Sequence, residues 1–200
     1  MQYIQNYLKE VEEIAQKINK NNIDKIIKRI IELKKKNGRI FFLGVGGSAG
    51  NCSHAVNDFR KIAKIESYTP VDNVSELTAR TNDEGWKTTF SSWLEVSNLN
   101  SKDLVFIFSV GGGNLEKKIS VNLVDAIQYC KKTHCDVVGI VSRDGGYTEK
   151  NALVTVNVPV ISGDTITPHA ESWQAIIWHL IVTDPRILSN QNKWESLAEK

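Results

Sequence analysis

The chain has 200 residues, 41% of them hydrophobic, which is enough for one compact core and too few for two ordinary domains, so residues 1–200 are expected to fold as one unit. Its net charge of +2 comes from 25 basic and 23 acidic side chains spread along the whole length, which gives no reason to expect nucleic acid or a membrane as partner. Apolar runs such as Leu104–Val110 are too short to cross a bilayer, Glu10, Glu12 and Glu13 argue against a signal peptide, and the odd set Cys52, Cys130 and Cys135 has no paired metal-ligand spacing, so a reducing cytoplasm is the expected location.

Ile4, Leu8, Val11, Ile14, Ala15 and Ile18 recur at three- and four-residue steps and predict an amphipathic helix. A second helical period runs through Ile23, Ile26, Ile27, Ile30, Ile31 and Leu33, and Asn37-Gly38 offers it a C-terminal cap. This pair precedes any strand and reads as a packing arm over 1–37, with the remainder, 38–200, as the core. Its apolar stripes exceed what one small sheet can cover, which predicts self-association.

From Arg39 the grammar changes. Ile40–Leu43 is a short apolar run closed by Gly44-Val45-Gly46-Gly47-Ser48, after which a helical stretch begins. Leu104–Phe108 is followed in the same way by Ser109-Val110-Gly111-Gly112-Gly113-Asn114 and a helix-like segment from Leu115 to Lys132, and Val137–Val141 by Ser142-Arg143-Asp144-Gly145-Gly146. A further strand is expected at Leu153–Val158, and a last helix from about Pro168 to Val182, stopped by Asp184-Pro185. Near-continuously apolar strands alternating with helices predict an α/β fold, a doubly wound parallel sheet covered on both faces.

In such sheets ligands bind beyond the carboxyl ends of the strands. Glycines there let backbone N–H groups approach an anion, the next helix presents its positive end, and Ser48 and Ser109 add hydroxyl donors, a chemistry suited to phosphate. Tight turns alone would also explain the glycines. No Gly-Lys-Ser/Thr follows, and the dinucleotide fingerprint lacks its third glycine, which disfavours ATP and NAD. On the helix after the first loop, His54 and Asp58 are four apart and share a face, able to bind a divalent metal or move protons, or simply to form a polar surface. Trp173 and Trp178 read as core or interface packing.

Gly44-Val45-Gly46-Gly47-Ser48-Ala49-Gly50 followed by Ser53-His54 and Asp58 resembles the phosphoheptose isomerase branch of the sugar-isomerase (SIS) domains, whose members read GNGGSA, then QH and a glutamate. The resemblance continues through Leu77-Thr78-Ala79, Asn82-Asp83, Phe108-Ser109, Asp144-Gly145-Gly146 and Thr167-Pro168, and so covers essentially the whole chain. It implies a single SIS domain and an aldose–ketose isomerisation of sedoheptulose 7-phosphate to D-glycero-D-manno-heptose 7-phosphate, serving bacterial surface polysaccharide. It implies one zinc ion held by His54, Asp58, Glu171 and His179, with Asp58 as base and His179 as acid. Substrate contacts are implied at Gly46, Gly47, Ser48, Asn51, Asp83, Ser109, Gly111, Asn114 and Glu171, in a homotetramer with sites at subunit interfaces. Glu171 and His179 lie eight residues apart, about 12 Å of helix rise, so one ion would draw both together or the site would combine subunits.

Three departures stand out. Asp58 replaces the family glutamate, Glu171 replaces a glutamine, and Ser109-Val110-Gly111-Gly112-Gly113-Asn114 stands where STSGNS is usual, with two hydroxyls fewer for phosphate. Two other readings remain open: a non-catalytic relative that binds a replication initiator as an oligomer, and an isomerase or sensor of another sugar phosphate.

Overall fold

The computed structural model describes residues 1–197. Two antiparallel-pattern helices open the chain, α1 (Gln2–Lys17) and α2 (Lys20–Lys35). The Asn19 side chain accepts from the Asn22 N–H to start α2, and at its other end Gly38 N–H donates to the Leu33 carbonyl and Asn37 N–H to that of Lys34, the two-bond closure that a left-handed residue permits. Here Asn37, with φ 52°, supplies that conformation.

Strands β1 (Ile40–Gly44), β2 (Ser67–Tyr68), β3 (Leu104–Phe108), β4 (Asp136–Ser142) and β5 (Val154–Val158) form one sheet in the order β2-β1-β3-β4-β5, every pair parallel. The expected α/β class and parallel sheet are therefore present. Between strands lie α3 (Gly47–Lys61), α4 (Val74–Asp83), α5 (Thr89–Val96), α6 (Val121–Lys132) and α7 (Gly146–Asn151); α8 (Ile166–Val182) and the short α9 (Lys193–Leu197) follow β5.

Alternation along the strands divides the core. Ile40, Phe42, Phe106 and Phe108 face α2, α3 and α8, whereas Phe41, Leu43, Val105 and Ile107 face α5 and α6. A sheet buried on both faces needs apolar residues at every strand position, and all five residues of β1 and of β3 are buried. Strand order reverses between β1 and β3, so the turns leaving those two strands stand side by side at the carboxyl edge, where a crevice opens.

At the opposite edge two ion pairs, each with one buried partner, tie the strands down. Arg39 grips Asp103 with two nitrogens, Nη2 at 2.7 Å and Nε at 3.1 Å, and Arg29 of α2 reaches Asp136 at 2.7 Å.

One expected helix is shorter than its sequence pattern suggests. The segment expected as helical from Leu115 instead begins its helix at Val121. Asn114 and Ile119 exchange both backbone hydrogen bonds, Asn114 Oδ1 accepts from Lys117 N–H, and Lys118 and Ser120 take positive φ. Left-handed residues cannot join a right-handed helix, so residues 114–119 form a finger ahead of α6. The last helix starts two residues earlier than expected, at Ile166, and Pro168 sits in its first turn, where no N–H partner is needed.

Candidate active site

Helices α3 and α8 pack against each other on one face of the sheet and carry the chemistry. His54 and Asp58 are one turn apart on α3, and His179 approaches from the C-terminal half of α8. Asp58 Oδ2 lies 3.8 Å from His54 Nε2 and 3.7 Å from His179 Nε2, and the three donor atoms fall within 4.8 Å of one another. Sequence spacing alone paired His54 with Asp58; tertiary packing adds His179.

Each group is aimed by a neighbour. His179 Nδ1 lies 2.8 Å from the Ala175 carbonyl, which can only accept, so Nδ1 carries the proton and Nε2 presents its lone pair to the site. Asp58 Oδ1 accepts from Asn57 Nδ2 at 2.8 Å, which leaves Oδ2 for the imidazoles. Trp178, fully buried, stacks on the His179 ring with centroids 3.5 Å apart and meets the His54 ring edge-on at 4.8 Å, fixing both rings from beneath. The Asp58 side chain is only 11% exposed and has no lysine or arginine partner among the described residues, while His54 and His179 are about half exposed. A buried carboxylate facing two imidazoles without a cationic side chain is a competent divalent-metal site. Tetrahedral zinc with ligand bonds of about 2.0–2.1 Å separates its ligands by roughly 3.4 Å, near the two Asp58 distances of 3.8 and 3.7 Å, and all three donor atoms lie within 4.8 Å of one another. His54, Asp58 and His179 fit such an ion and would be the residues to hold it.

Glu171 does not join them. Two turns earlier on α8, its carboxylate packs against Gly47, the first residue of α3, where a side chain on Gly47 would collide with both carboxylate oxygens. Of the four ligands that the resemblance implies, the structure brings three together, because helical rise carries Glu171 to the head of α3 while His179 stays beside His54 and Asp58.

Asn51 stands between the two regions. Its amide nitrogen donates to the Glu171 carbonyl at 2.9 Å and to Gln174 Oε1 at 3.0 Å, so its role is to tie α3 to α8, with only Oδ1 left to accept from a ligand. Gly46 has φ 65° and Ser48 is buried. Ser109 is buried at the end of β3 and accepts from Gly112 N–H at 3.0 Å, keeping its own hydroxyl proton to donate. Gly111 and Asn114 line a small cavity at the base of the finger. Asp83 ends α4, exposed, and accepts from Asn82; the structure does not bring it to the His54, Asp58 and His179 group. Thr167 and His169 lie within the first turn of α8.

Asn57, Gln174 and the Ala175 carbonyl were not legible as site elements. Trp178 carried a signal in its place next to His179, but an aromatic in an apolar helix is ordinarily core, and here it is core and site floor together.

The structure defines a parallel α/β protein with glycine turns at the reversal point of its sheet and a candidate metal-binding cluster on the neighbouring helices. The SIS domain family model matches residues 2–142. A phosphoheptose isomerase of Sulfurimonas denitrificans is 30% identical over 190 residues, covering 90% of this chain and 91% of that protein. The lincomycin biosynthesis protein LmbN of Streptomyces lincolnensis is 29% identical over 154 residues, 72% of this chain, which spans 54% of that longer protein. Among solved structures, a phosphoheptose isomerase from Neisseria gonorrhoeae shares the fold with a TM-score of 0.77 at 19% identity, over 90% of this chain and 92% of that one. The chain belongs to the SIS-domain phosphoheptose isomerase family and is a sugar-phosphate isomerase.

Proposed function

We propose that this isomerase converts sedoheptulose 7-phosphate to D-glycero-D-manno-heptose 7-phosphate, with a zinc ion held by His54, Asp58 and His179. The observation that carries the reading is the convergence of two imidazole nitrogens and one carboxylate oxygen from α3 and α8 beside the reversal point of the sheet. The similarity to phosphoheptose isomerases along nearly the whole chain supports a heptose phosphate as substrate. When bound, the ion supplies a fixed positive charge that polarises the substrate carbonyl.

Asp58 moves the proton from the carbon beside the carbonyl to its neighbour through an enediol. Among the described residues Asp58 has no lysine or arginine partner, and with Oδ1 bonded to Asn57 its Oδ2 either holds the ion or takes the proton at any moment. His54 and His179 would hold the ion, and with it a positive charge, near the carbonyl oxygen. The bond from His179 Nδ1 to the Ala175 carbonyl leaves Nε2 as its single working nitrogen, so holding the ion and donating a proton are alternatives for this residue at any moment. Glu171 and the free oxygen of Asn51 accept from sugar hydroxyls, and the turns at Gly46–Ser48 and Ser109–Asn114 complete the substrate contacts within one chain.

The chain works as one unit because both halves of its core share a single sheet. We assign it to the cytoplasm, where its three cysteines, all free and buried, stay reduced, and to the supply of heptose for surface polysaccharide. No helix among the described residues is long and apolar enough to cross a membrane. Exposed Tyr3, Ile4 and Leu8 on α1, and Ile176 and Leu180 beside His179, support a homotetramer with sites near subunit contacts.

The test is metal analysis, sedimentation and a panel of ketose phosphates assayed on purified protein. We expect one zinc per chain, a mass four times 22.4 kDa, and turnover fastest with the heptose. Asp58→Ala and His179→Ala should each lower kcat by about 100-fold or more and release the metal, with unchanged circular dichroism. Full activity in either variant would remove the assignment. Protein without metal or turnover, even after zinc is added, would point to a binding role instead.

A further inference from the structure

The two glycine turns that flank the crevice are not equivalent. At the first, the Glu171 carboxylate already lies against Gly47 at the head of α3, the place where the positive end of that helix would otherwise receive an anion. A phosphate seated there would meet a negative charge belonging to the protein. The position suits groups that donate hydrogen bonds, such as sugar hydroxyls.

The second turn is built differently. Its Gly113 and Gly112 carbonyls accept from the Tyr147 and Thr148 N–H groups, and the Thr148 hydroxyl adds a third bond to Gly112 at 2.7 Å, so the turn is fixed to the first turn of α7. Beyond it, the finger at 114–119 folds back, held by the paired Asn114 and Ile119 backbones. Between the finger and the turn after β4 lies a cavity of about 100 Å³, lined by Gly111, Gly113, Asn114, Lys117, Arg143 and Asp144. That is roughly the liquid volume of three waters, room for one phosphate group. Among the described residues neither Lys117 nor Arg143 forms an ion pair. Asp144 contributes one negative charge against their two positive ones, which leaves the cavity cationic.

We infer that Lys117 and Arg143 are the charge partners of the substrate phosphate, seated in this cavity, and that Glu171 faces the hydroxyl-bearing end of the sugar. The inference rests on the sugar-phosphate reading of the chain. Hydroxyl residues are lost from the β3 turn at the positions of Val110, Gly111 and Asn114, and two cations from neighbouring segments offset the loss. The planar guanidinium of Arg143 suits two phosphate oxygens at once, and Lys117 adds a point charge from the finger.

Lys117→Ala, Arg143→Ala and the double variant test it, on full-length protein with two readouts. The first is KM for the best ketose phosphate of the panel; the second is binding of inorganic phosphate, followed by phosphorus NMR. Both side chains are exposed, so the variants should keep the wild-type circular dichroism. We expect KM to rise about 10-fold for each single variant and about 100-fold for the double, with kcat within about threefold, and inorganic phosphate binding to be lost in the double. Lys117→Arg should keep near wild-type KM, since the charge is retained. Normal turnover by the double variant with unchanged KM and unchanged phosphate binding overturns the inference and leaves the isomerase reading intact. A wild-type protein that turns over no ketose phosphate, yet binds inorganic phosphate through these two residues, keeps the anion site and removes the catalytic reading.

Discussion

At Gly112 a single hydrogen separates a working turn from a collision. This residue has φ 67°, and a Cβ there would land on the Gly145 carbonyl, so neither its conformation nor its surroundings admit alanine. Gly50 is the opposite case, helical in α3 with nothing near the position its Cβ would take. Gly112→Ala should cost about 2 kcal/mol or more, whereas Gly50→Ala should add about 0.5–1 kcal/mol by lowering unfolded-chain entropy and raising helix propensity. Urea midpoints compare them, and equal shifts of the same sign would contradict this account. Residue-level sequence reading found His54 and Asp58 because their four-residue spacing is a local property of one helix. It left Glu171 between two roles, ligand and substrate contact, because which residues of α8 meet a given turn of α3 depends on how the helices cross, which no local spacing encodes.

Helix α1 is anchored to α8 across more than 150 residues of sequence. Glu10 Oε2 accepts from the Thr165 hydroxyl at 2.6 Å and from His169 Nε2 at 2.8 Å, and Tyr7 stacks on the His169 ring with centroids 4.4 Å apart. Thr165 precedes the first residue of α8, so a carboxylate from α1 serves the positive end of the helix that carries Glu171 and His179. The arm expected to serve only for packing thus also positions a site helix. The Glu10 carboxyl is held below its ordinary value of 4.5, first by the Thr165 hydrogen bond and then by His169. A group whose folded value is lowered contributes stability that is complete above its unfolded value and is lost as pH falls through the folded one. The wild type should therefore lose stability below about pH 4.5, and Glu10→Gln should reduce the steepness of that loss. Urea midpoints from pH 7 to pH 3 measure it; superimposable profiles would show that the anchor contributes nothing. Asp184, lowered by Arg186, and Asp24, lowered by Lys28 and Arg186, act in the same direction.

Over the whole molecule, charge is divided between the two edges of the sheet. Away from the crevice, Asp103 is 2% exposed and receives Arg39 through two side-chain nitrogens and the Arg39 backbone N–H, joining the starts of β1 and β3. Arg39→Ala leaves that carboxylate buried without its counter-ion and should cost about 3 kcal/mol. Removing both partners together should cost less than the sum of the single changes, which a double-mutant cycle on urea midpoints reads directly. Additive losses would mean that the pair is not coupled. At the crevice the pattern reverses: among the described residues Asp58 meets imidazoles and no lysine or arginine, and Lys117 and Arg143 form no ion pair.

The sequence by itself determined the fold class, the two N-terminal helices, most of the strands and the two glycine turns, because burial on both faces and helical periodicity are written in the order of residue types. It also identified the helix pair His54 and Asp58. Only the tertiary structure decided that His179 meets them while Glu171 turns to Gly47, that Asn51 serves α8, and that residues 114–119 leave the helical pattern for a finger beside Arg143. Those outcomes follow from helix crossing and from turn bonding between segments distant in sequence, where contact is set by three-dimensional packing and not by spacing along the chain.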